Sequence, residues 1–277
     1  MIKTITDDLN LIRIKDSGQT FRWENAEDGA VRILMKDRSL YIKDMGDDRF
    51  DFDCNEDEFE KIWKDYLDLD ESYQSIRKRI DKTRDPFLYR AAESEKGIRI
   101  LKQDPWEMLI SFIISQNKNI PAIIRSINLL CEKAGEKKTD ERGKIYYGFP
   151  GPKALSQLSE KDLTACSLGY RVKYIMSVTK CVIDGEFEPE SLINAGEEET
   201  IKTLTLLHGV GNKVANCISL FGLHHLNAFP RDVWVNRILE NEYKNGYPYD
   251  EYSPYNGVYQ QYMFAYYRKA NDMKSGE

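Results

Sequence analysis

The chain has 277 residues, of which 31% are charged, and a formal net charge of −6 at pH 7. This length allows a buried hydrophobic core without disulfides or structural metals. No apolar stretch approaches the roughly 18 residues of a membrane span, and the N-terminal MIKTITDD lacks the apolar core of a secretory signal. We therefore expect an intracellular protein without a membrane partner, in the cytoplasm or nucleoid of a prokaryote or the nucleus of a eukaryote.

The cysteines and histidines argue against several kinds of site. Five cysteines are scattered without a CxxC pair, and only Cys217 lies beyond residue 181. This spacing is unlike that of a disulfide framework or of an iron–sulfur cluster. With only three histidines in the chain, a transition-metal site is not expected.

The charge is unevenly distributed along the chain. Residues 101–180 contain 13 basic and 8 acidic residues, a net charge of +5, whereas the segments on either side are acidic. Because the local distribution of charge decides whether a polyanion binds, the negative total does not exclude a nucleic-acid partner.

The first fifty residues predict a small antiparallel sheet. Apolar residues alternate in four short segments, residues 9–15, 30–36, 39–45 and 49–54, with turn-forming residues between them. From Glu56 onward, apolar residues recur at helical spacing. The predicted fold class is α+β, with a small antiparallel-sheet N-terminal domain and helix in residues 1–85 and a mainly α-helical domain in residues 86–277.

Helix-start signals divide the second domain into short helices. Asp104-Pro105 and Asn119-Ile120-Pro121 begin helices that run to Ile114 and Cys131, since proline is favourable in the first helical turn. Residues 135–153 are rich in Gly, Pro and charge and predict a surface loop. Further helices are predicted around residues 159–166, 171–184, 198–206, 214–221, 233–240 and 255–269.

The most informative segment is LLHGVGNKVANCISLFGL, residues 206–223. One helix is predicted to end at Leu206 or Leu207, and the next helix is predicted to start near Asn212. Gly209 and Gly211 lie between the two helices. Such a turn leaves backbone N–H groups free at a helix N-terminus, where a phosphate oxygen is held without a basic side chain. An ordinary turn between two helices is the alternative interpretation.

Two reactive side chains follow this turn. Lys213 lies in the first turn of the second helix, where the positive end of the helix dipole favours the neutral amine, the nucleophilic form. Asp232 comes nineteen residues later and precedes an apolar helix. The alternatives are a solvated surface lysine and an aspartate that only caps its helix.

The pattern Gly-Val-Gly-x-Lys followed by Pro-x-Asp-Val resembles the helix-hairpin-helix glycosylase superfamily, which includes endonuclease III. In that superfamily the hairpin, here about residues 199–223, grips one DNA strand by its backbone, which lets an acidic protein bind DNA. The aspartate is common to the superfamily, whereas the lysine is carried by bifunctional glycosylase/lyases. The resemblance therefore implies that Lys213 and Asp232 are catalytic.

The segment Ser17-Gly-Gln-Thr-Phe-Arg-Trp23 closely resembles the SGQ(S/T)FRW signature of the 8-oxoguanine DNA glycosylases. By this resemblance the carbonyl of Gly18 accepts a hydrogen bond from N7–H of the lesion and repels the N7 lone pair of normal guanine. Only glycine lets the backbone come so near. A turn glycine before a strand is the alternative interpretation.

Three side chains resemble the base pocket of the same family. Cys217 follows Lys213 by four residues, and Gln260 and Phe264 are also four apart, so each pair shares a helix face. By the resemblance Cys217 and Phe264 sandwich the flipped purine while Gln260 binds its Watson–Crick edge, as recognition of a flipped base requires. Taken singly, each of these residues is more common in a core than in a pocket.

Two further segments resemble the parts of the family that enter the duplex. In residues 111–120, Asn117 would fill the gap left by the flipped base and contact the estranged cytosine. In Leu-Gly-Tyr-Arg, residues 168–171, Tyr170 would wedge the stack and Arg171 would donate to the cytosine. A helix C-cap glycine and an interhelical tyrosine are the alternative interpretation.

The chain also departs from the family pattern. Ala122 stands where relatives often carry a second cytosine-reading arginine, which predicts relaxed discrimination of the opposite base. Trp234 replaces an expected histidine that contacts phosphate. Asn216 and His208 stand where an acidic residue and a proline are frequent.

The resemblance covers residues 9–268 and implies a monomeric base-excision repair enzyme. It would bind double-stranded DNA that contains 8-oxoguanine, remove the base and cleave the strand through a Schiff base. It would require no cofactor, and the hairpin would hold an alkali ion through the backbone carbonyls of Thr205, Leu207 and Val210. A helix-hairpin-helix glycosylase for another damaged base and a non-catalytic DNA-binding helix-hairpin-helix protein are the alternative functions.

Overall fold

The computed structural model of the protein describes the backbone of residues 1–275 and the side chains of residues 1–270, so the last two residues of the predicted helical domain lie outside the described residues. The N-terminal part contains a five-stranded antiparallel sheet with the strand order β1-β5-β4-β3-β2. The strands are β1 (Ile2–Thr4), β2 (Trp23–Asn25), β3 (Val31–Met35), β4 (Arg38–Asp44) and β5 (Arg49–Phe52). Together with the helices that follow, this sheet confirms the predicted α+β fold class.

The alternation of apolar residues fixes the register of the sheet. Val31 pairs with Ile42 and Ile33 pairs with Leu40, and all four side chains are buried. Because successive side chains of a strand point to opposite faces, these pairs form one apolar face. That face belongs to a small core that also contains Trp63.

One predicted strand is wrong. Residues 9–15 were expected to alternate as a strand, but α1 (Leu11–Asp16) is a helix. The Asn10 side chain accepts a hydrogen bond from the backbone N–H of Arg13 at 3.0 Å and caps the helix. Leu11 and Ile14 are buried. Residues three apart share one face of a helix, whereas in a strand they would point to opposite faces.

The rest of the chain is mainly helical. A π-helical turn, Phe59–Trp63, joins α2 to α3, and 3₁₀ turns cover Gly169–Arg171 and Pro189–Leu192. None of the described helices has the length and apolar content that a membrane crossing requires. All five cysteines are free thiols. The helices are α2 (Glu56–Glu58), α3 (Lys64–Tyr66), α4 (Tyr73–Lys78), α5 (Pro86–Ser94), α6 (Pro105–Ser115), α7 (Ile120–Ala134), α8 (Pro152–Ser156), α9 (Glu160–Ala165), α10 (Val172–Ile183), α11 (Glu197–Thr205), α12 (Asn212–Gly222), α13 (Val233–Glu242), α14 (Tyr249–Tyr252) and α15 (Asn256–Ser275).

Helix α6 lies at the centre of the larger core. Every residue of α6 is buried, and α12 packs directly on it. The Phe112 ring of α6 stacks on the Phe221 ring of α12, with centroids 5.4 Å apart and an interplanar angle of 20°. Helix α15 packs against α5 and α13. The buried α6 therefore fixes the position of α12.

The predicted surface loop of residues 135–153 contains two strands, so that prediction is wrong for part of it. Strands β6 (Lys137–Thr139) and β7 (Ile145–Tyr147) form an antiparallel hairpin. The hairpin packs on the N-terminal sheet, where the Tyr146 hydroxyl donates to the carbonyl of Asp37 at 2.8 Å. Strands of three residues are too short to produce a recognisable pattern of alternation. The N-terminal sheet that the hairpin contacts is distant in sequence.

A buried ion pair joins the β6–β7 hairpin to the sheet. Arg32 Nη2 lies 2.6 Å from Asp140 Oδ2, and their side chains are 2% and 4% exposed. The Tyr41 hydroxyl donates to the same carboxylate at 2.9 Å. An exposed pair, Lys144 with Glu24 at 2.6 Å, crosses the same interface.

We expect Asp140→Ala to lower the free energy of unfolding by about 2 kcal/mol, because the buried Arg32 guanidinium then keeps only the half-exposed Glu24 carboxylate, 2.8 Å from its Nη1, as a counter-ion. Lys144→Ala breaks the exposed pair and should cost less than about 1 kcal/mol. Urea denaturation followed by tryptophan fluorescence measures both. Equal losses in the two variants would contradict the buried pair as the anchor of the hairpin.

Candidate active site

Residues 17–22 join α1 to β2, and residues 17–20 of this connection are here called the Gly18 strap. Gly18 has φ +81°, in the left-handed region that glycine adopts without steric cost. A Cβ added at Gly18 would lie 3.6 Å from the Phe264 ring, an ordinary contact distance. The backbone angle therefore favours glycine at this position. This is a second reason for glycine, besides the close approach of the backbone to a base that the sequence predicts.

Hydrogen bonds of Gln19 hold the strap in place. The Gln19 Nε2 group donates to Ser17 Oγ at 2.9 Å and to the carbonyl of Arg99 at 2.8 Å. Its Oε1 accepts from the backbone N–H of Leu101 at 2.9 Å. Gln19 is fully buried, so these bonds lie in a medium where they are strong. They fix the backbone on both sides of Gly18.

The turn between α11 and α12 has the shape that the sequence predicts. Gly209 has φ +88°, and a Cβ added there would overlap the Tyr174 ring. Gly211 is the N-cap of α12, with φ −88° and open space around its Cα. No side chain caps α12, so the N–H groups of its first turn face outward.

Helices α12 and α13 bring the two predicted catalytic residues to one place. Lys213 lies in the first turn of α12, and Cys217 lies one turn further on the same face. Asp232 is the N-cap of α13, where its Oδ1 accepts from the N–H of Val235 at 2.8 Å. Asp232 thus caps a helix and lines the cavity described next, so the two interpretations of this residue do not exclude each other.

A small cavity between the Gly18 strap, α12 and α15 collects all the predicted catalytic and base-pocket residues. Its volume is about 60 Å³. An engineered cavity of about 150 Å³ accommodates benzene, so a purine enters this one only if lining side chains move. The lining residues are Ser17, Gly18, Phe112, Lys213, Cys217, Phe221, Pro230, Asp232, Gln260, Gln261 and Phe264.

The side chains around Lys213 combine apolar and charged groups. Burial raises the pKa of the Cys217 thiol, although the nearby Lys213 ammonium acts in the opposite direction. The thiol is therefore neutral at pH 7. Lys213 Nζ lies 5.8 Å from the centroid of the Phe112 ring. An amine placed between an aromatic ring, a neutral thiol and a carboxylate is arranged to serve as a nucleophile once it loses its proton.

The residues predicted to enter the duplex form a second group outside the cavity. The Arg171 guanidinium donates to the carbonyl of Gln116 and, at 3.2 Å, to that of Leu168. It also lies 4.4 Å from the centroid of the Tyr170 ring. Asn117, next to Gln116, is exposed and has φ +48°. We call Asn117, Tyr170 and Arg171 the wedge group.

Aromatic rings connect the wedge group to the hairpin. The Tyr170 ring lies 5.8 Å from that of Tyr174, which lies 4.9 Å from the imidazole of His208. Gln116 Nε2 donates to the carbonyl of Gly209 at 3.0 Å. The wedge group and the hairpin therefore belong to one continuous surface.

Arg171 differs from its predicted role as a group open to a base. It is 5% exposed, and its terminal nitrogens donate to backbone carbonyls within the protein. Lys118 reinforces the same loop by donating to the Ser126 hydroxyl at 2.5 Å and to the Ser167 carbonyl at 2.6 Å. Burial and the charge of Arg171 lower the pKa of Lys118. The contact with a base that the resemblance implies for Arg171 requires one of these hydrogen bonds to break.

Sequence reasoning missed three residues of the site. Gln19 lies within the SGQTFRW match but received no role, because its bonds go to residues about eighty positions away. Phe112 received no role, because every residue of its helix is buried and the sequence gives no sign of which face lines a cavity. Gln261 stands next to Gln260, and adjacency in a helix gives no periodic signal.

Comparisons with known proteins agree with this geometry. Residues 1–109 match the family model of the 8-oxoguanine DNA glycosylase N-terminal domain, and residues 110–246 match that of the HhH-GPD superfamily of base excision DNA repair proteins. The N-glycosylase/DNA lyase of Saccharomyces cerevisiae is 32% identical over 261 residues, which cover 86% of this chain and 69% of that protein. The chain belongs to the 8-oxoguanine DNA glycosylase family. The resemblance stated from the sequence motifs is thereby confirmed.

Solved structures of 8-oxoguanine DNA glycosylases have the same fold. An 8-oxoguanine glycosylase/lyase of Clostridium acetobutylicum, in complex with double-stranded DNA containing cytosine opposite 8-oxoguanine, is 35% identical, with a TM-score of 0.89 over 98% of both chains. The structure of MBOgg1 in complex with a low-affinity DNA ligand is 36% identical, with a TM-score of 0.91 over 98% of this chain and 96% of that one. This likeness extends over both the sheet and the helical part.

Substitution of Gly209 or Gly211 by alanine should affect the stability of this 8-oxoguanine DNA glycosylase family member to different extents. We expect Gly209→Ala to lower the free energy of unfolding by about 2–4 kcal/mol, because it adds left-handed strain and overlap with the Tyr174 ring. Gly211→Ala should cost less than about 1 kcal/mol, since its φ and its surroundings accept a Cβ. Urea denaturation of both variants measures the difference. A Gly209→Ala variant as stable as Gly211→Ala would refute the tight contact.

Proposed function

We propose that this chain is a base-excision repair DNA N-glycosylase that flips 8-oxoguanine out of duplex DNA, removes it and nicks the strand by β-elimination. The proposal depends mainly on one observation: a single cavity is lined by a lysine, a carboxylate, a glycine in left-handed conformation and the thiol, amide and aromatic side chains that a flipped base requires. These residues are Lys213, Asp232, Gly18, Cys217, Gln260 and Phe264.

Lys213 is the proposed nucleophile. Its neutral Nζ attacks C1′ of the flipped nucleoside, and the N-glycosidic bond breaks with its electron pair on the departing base, which takes up a proton. Asp232 stabilises the positive charge that develops on the sugar. Nζ then loses a proton, and the C1′–O4′ bond breaks as O4′ takes up a proton, which leaves a protonated imine between Nζ and C1′. Loss of a proton from C2′ breaks the C3′–O3′ bond, which nicks the strand.

The walls of the cavity provide base selection in this proposal. The Gly18 carbonyl accepts a hydrogen bond from N7–H, a donor that 8-oxoguanine has and guanine lacks. Cys217 and Phe264 contact the two faces of the purine, and the neutral state of the buried thiol suits that apolar contact. Gln260 binds the Watson–Crick edge. A site that hydrogen-bonds an N–H group rejects an analogue without it more strongly than an apolar pocket can.

The wedge group and the hairpin provide DNA binding in this proposal. Asn117 and Tyr170 are exposed next to the hairpin, at the position where a flipped base would leave the duplex. Arg171 donates to the estranged base after it releases the carbonyl of Gln116. The N–H groups near Gly209 and Gly211 hold a phosphate at the start of α12.

The hairpin also fits the alkali ion that the resemblance implies. In the described part of the chain, the carbonyl oxygens of Thr205 and Val210 accept no hydrogen bond, and that of Leu207 accepts one from the N–H of Val210 at 3.0 Å. Carbonyl oxygens are hard ligands that suit such a cation. We propose that these three carbonyls hold a monovalent cation that stabilises the turn. Among the described residues, no group of three His, Cys, Asp or Glu side chains is placed to bind another metal.

Covalent trapping tests the proposed nucleophile. Borohydride reduces the imine, so we expect the wild-type protein to become linked to an 8-oxoguanine duplex and Lys213→Gln to lose all trapping while it still binds the duplex. Lys180→Gln makes the same charge change at an exposed position of α10 and should trap like the wild type. Gel electrophoresis of the reduced complex measures the yield. Trapping by Lys213→Gln, or equal activity on undamaged duplex, would refute the mechanism.

Ala122 predicts a relaxed choice of the opposite base. It lies in the first turn of α7, where its backbone N–H donates to Asn119 Oδ1 at 3.0 Å. We expect wild-type excision opposite cytosine to exceed excision opposite adenine by a modest factor, and Ala122→Arg to raise that factor about tenfold through one charged hydrogen bond to cytosine. Asn128→Arg adds the same charge about 9 Å further along the exposed side of α7 and should leave the factor unchanged. A strict preference for cytosine in the wild type would count against the inference.

A further inference from the structure

Gln261 stands beside Gln260 on α15 and lines the same cavity, although the proposed mechanism gives it no role. The residue is 3% exposed. Its Nε2 group donates to Oε1 of Gln260 at 3.1 Å. Its own Oε1 is buried and accepts no hydrogen bond from any residue that the structure describes. Buried amide oxygens without a donor are uncommon in folded proteins, so this acceptor requires an explanation.

The two glutamines together present a defined set of polar groups. Oε1 of Gln260 accepts from Gln261 and keeps one lone pair, and Nε2 of Gln260 can donate to a ligand. Oε1 of Gln261 adds a second acceptor. The pair therefore has one donor group, Nε2 of Gln260, and two acceptors, of which Oε1 of Gln261 meets a ligand once the side chains that cover it move.

The Watson–Crick edge of 8-oxoguanine has the complementary set. O6 is an acceptor, whereas N1–H and the exocyclic N2 amine are donors. We propose that Gln261 is a specificity-determining residue that recognises the N2 amine through its unpaired Oε1, while Gln260 binds O6 and N1–H. This proposal rests on the proposed function, because it requires the purine to occupy the cavity.

The proposal makes the amine of the lesion a recognition element separate from the oxidation at C8. An 8-oxopurine that lacks this amine, 8-oxohypoxanthine, would keep N7–H for Gly18 and the edge groups for Gln260. It would leave Oε1 of Gln261 buried and unpaired, and sites built around a hydrogen bond discriminate strongly against such analogues. The protein should therefore distinguish two lesions with the same oxidised ring.

The test compares single-turnover excision of 8-oxoguanine and of 8-oxohypoxanthine, each opposite cytosine. We expect the wild type to act at least about tenfold faster on 8-oxoguanine, the effect of one hydrogen bond in the transition state. Gln261→Met retains the length of the side chain without its polar groups. It removes the hydrogen bond from Gln261 to Gln260 for both lesions, and it should slow excision of 8-oxoguanine about tenfold more than excision of 8-oxohypoxanthine.

A matched control removes a different unpaired oxygen from the same helix. The hydroxyl of Tyr262 is buried without a partner among the described residues, and Tyr262 does not line the cavity. Tyr262→Phe should therefore retain the wild-type ratio of the two rates. Binding to a duplex with an abasic-site analogue, which has no base to recognise, should be the same for all three proteins and checks that they are folded.

Two results would overturn the inference. The first is equal excision of 8-oxoguanine and 8-oxohypoxanthine by the wild type. The second is an equal slowing of both excision rates by Gln261→Met, which would mean that Gln261 only orients Gln260 and does not recognise the amine. A failure of the proposed function is recognised separately, because the wild type would then show no covalent trapping on 8-oxoguanine duplex.

Discussion

The proposed chemistry depends on a helix that is buried along most of its length and open at its N-terminal end. In α12 every residue from Val214 to Gly222 except Asn216 is buried, and the Phe112–Phe221 stack holds the helix on α6. Lys213 stands where this buried part begins. The packed part fixes the position of the Cα from which the amine extends into the lining of the cavity. Precise placement of this kind is what a nucleophile needs, because small displacements of a catalytic group cost large factors in rate.

The walls of the cavity come from distant parts of the chain, and each is fixed by its own structural feature. The Gly18 strap is held by the hydrogen bonds of Gln19, and Asp232 is held by its cap on α13. Gln260 is held by Gln261. Polar groups that are already oriented need little reorganisation when charge or a new hydrogen bond develops, which is the main source of electrostatic catalysis in enzymes. The structural roles of these residues therefore support their proposed functional roles.

The sequence predicted features that depend on local patterns. The positions of Lys213 and Asp232 followed from a turn signal and a helix-start signal, and both signals are contained in a few neighbouring residues. Residues 9–15 were misread because LNLIRIK fits both an alternating strand and a short helix, and the deciding bond of Asn10 is a detail of side-chain geometry. Gln19 was missed because its hydrogen-bond partners are distant in sequence. The β6–β7 hairpin was missed because each strand has only three residues and the sheet that it contacts is distant in sequence. For such residues, function becomes visible only once the fold brings the partners together.

Because the cavity is small, some of its lining side chains must move when a base enters. At about 60 Å³ it is too small for a purine. Cys217 and Gln260 are each 3% exposed and packed among other side chains, so they are poor candidates for movement. Phe264 and Lys213 are only half-buried, so they are better candidates for movement. A base that enters therefore meets the fixed Gly18 carbonyl and the fixed glutamines while the aromatic ring and the amine adjust around it. In the proposed function, selection of the lesion therefore depends on groups that do not move, and the proposed nucleophile is one of the two side chains that do.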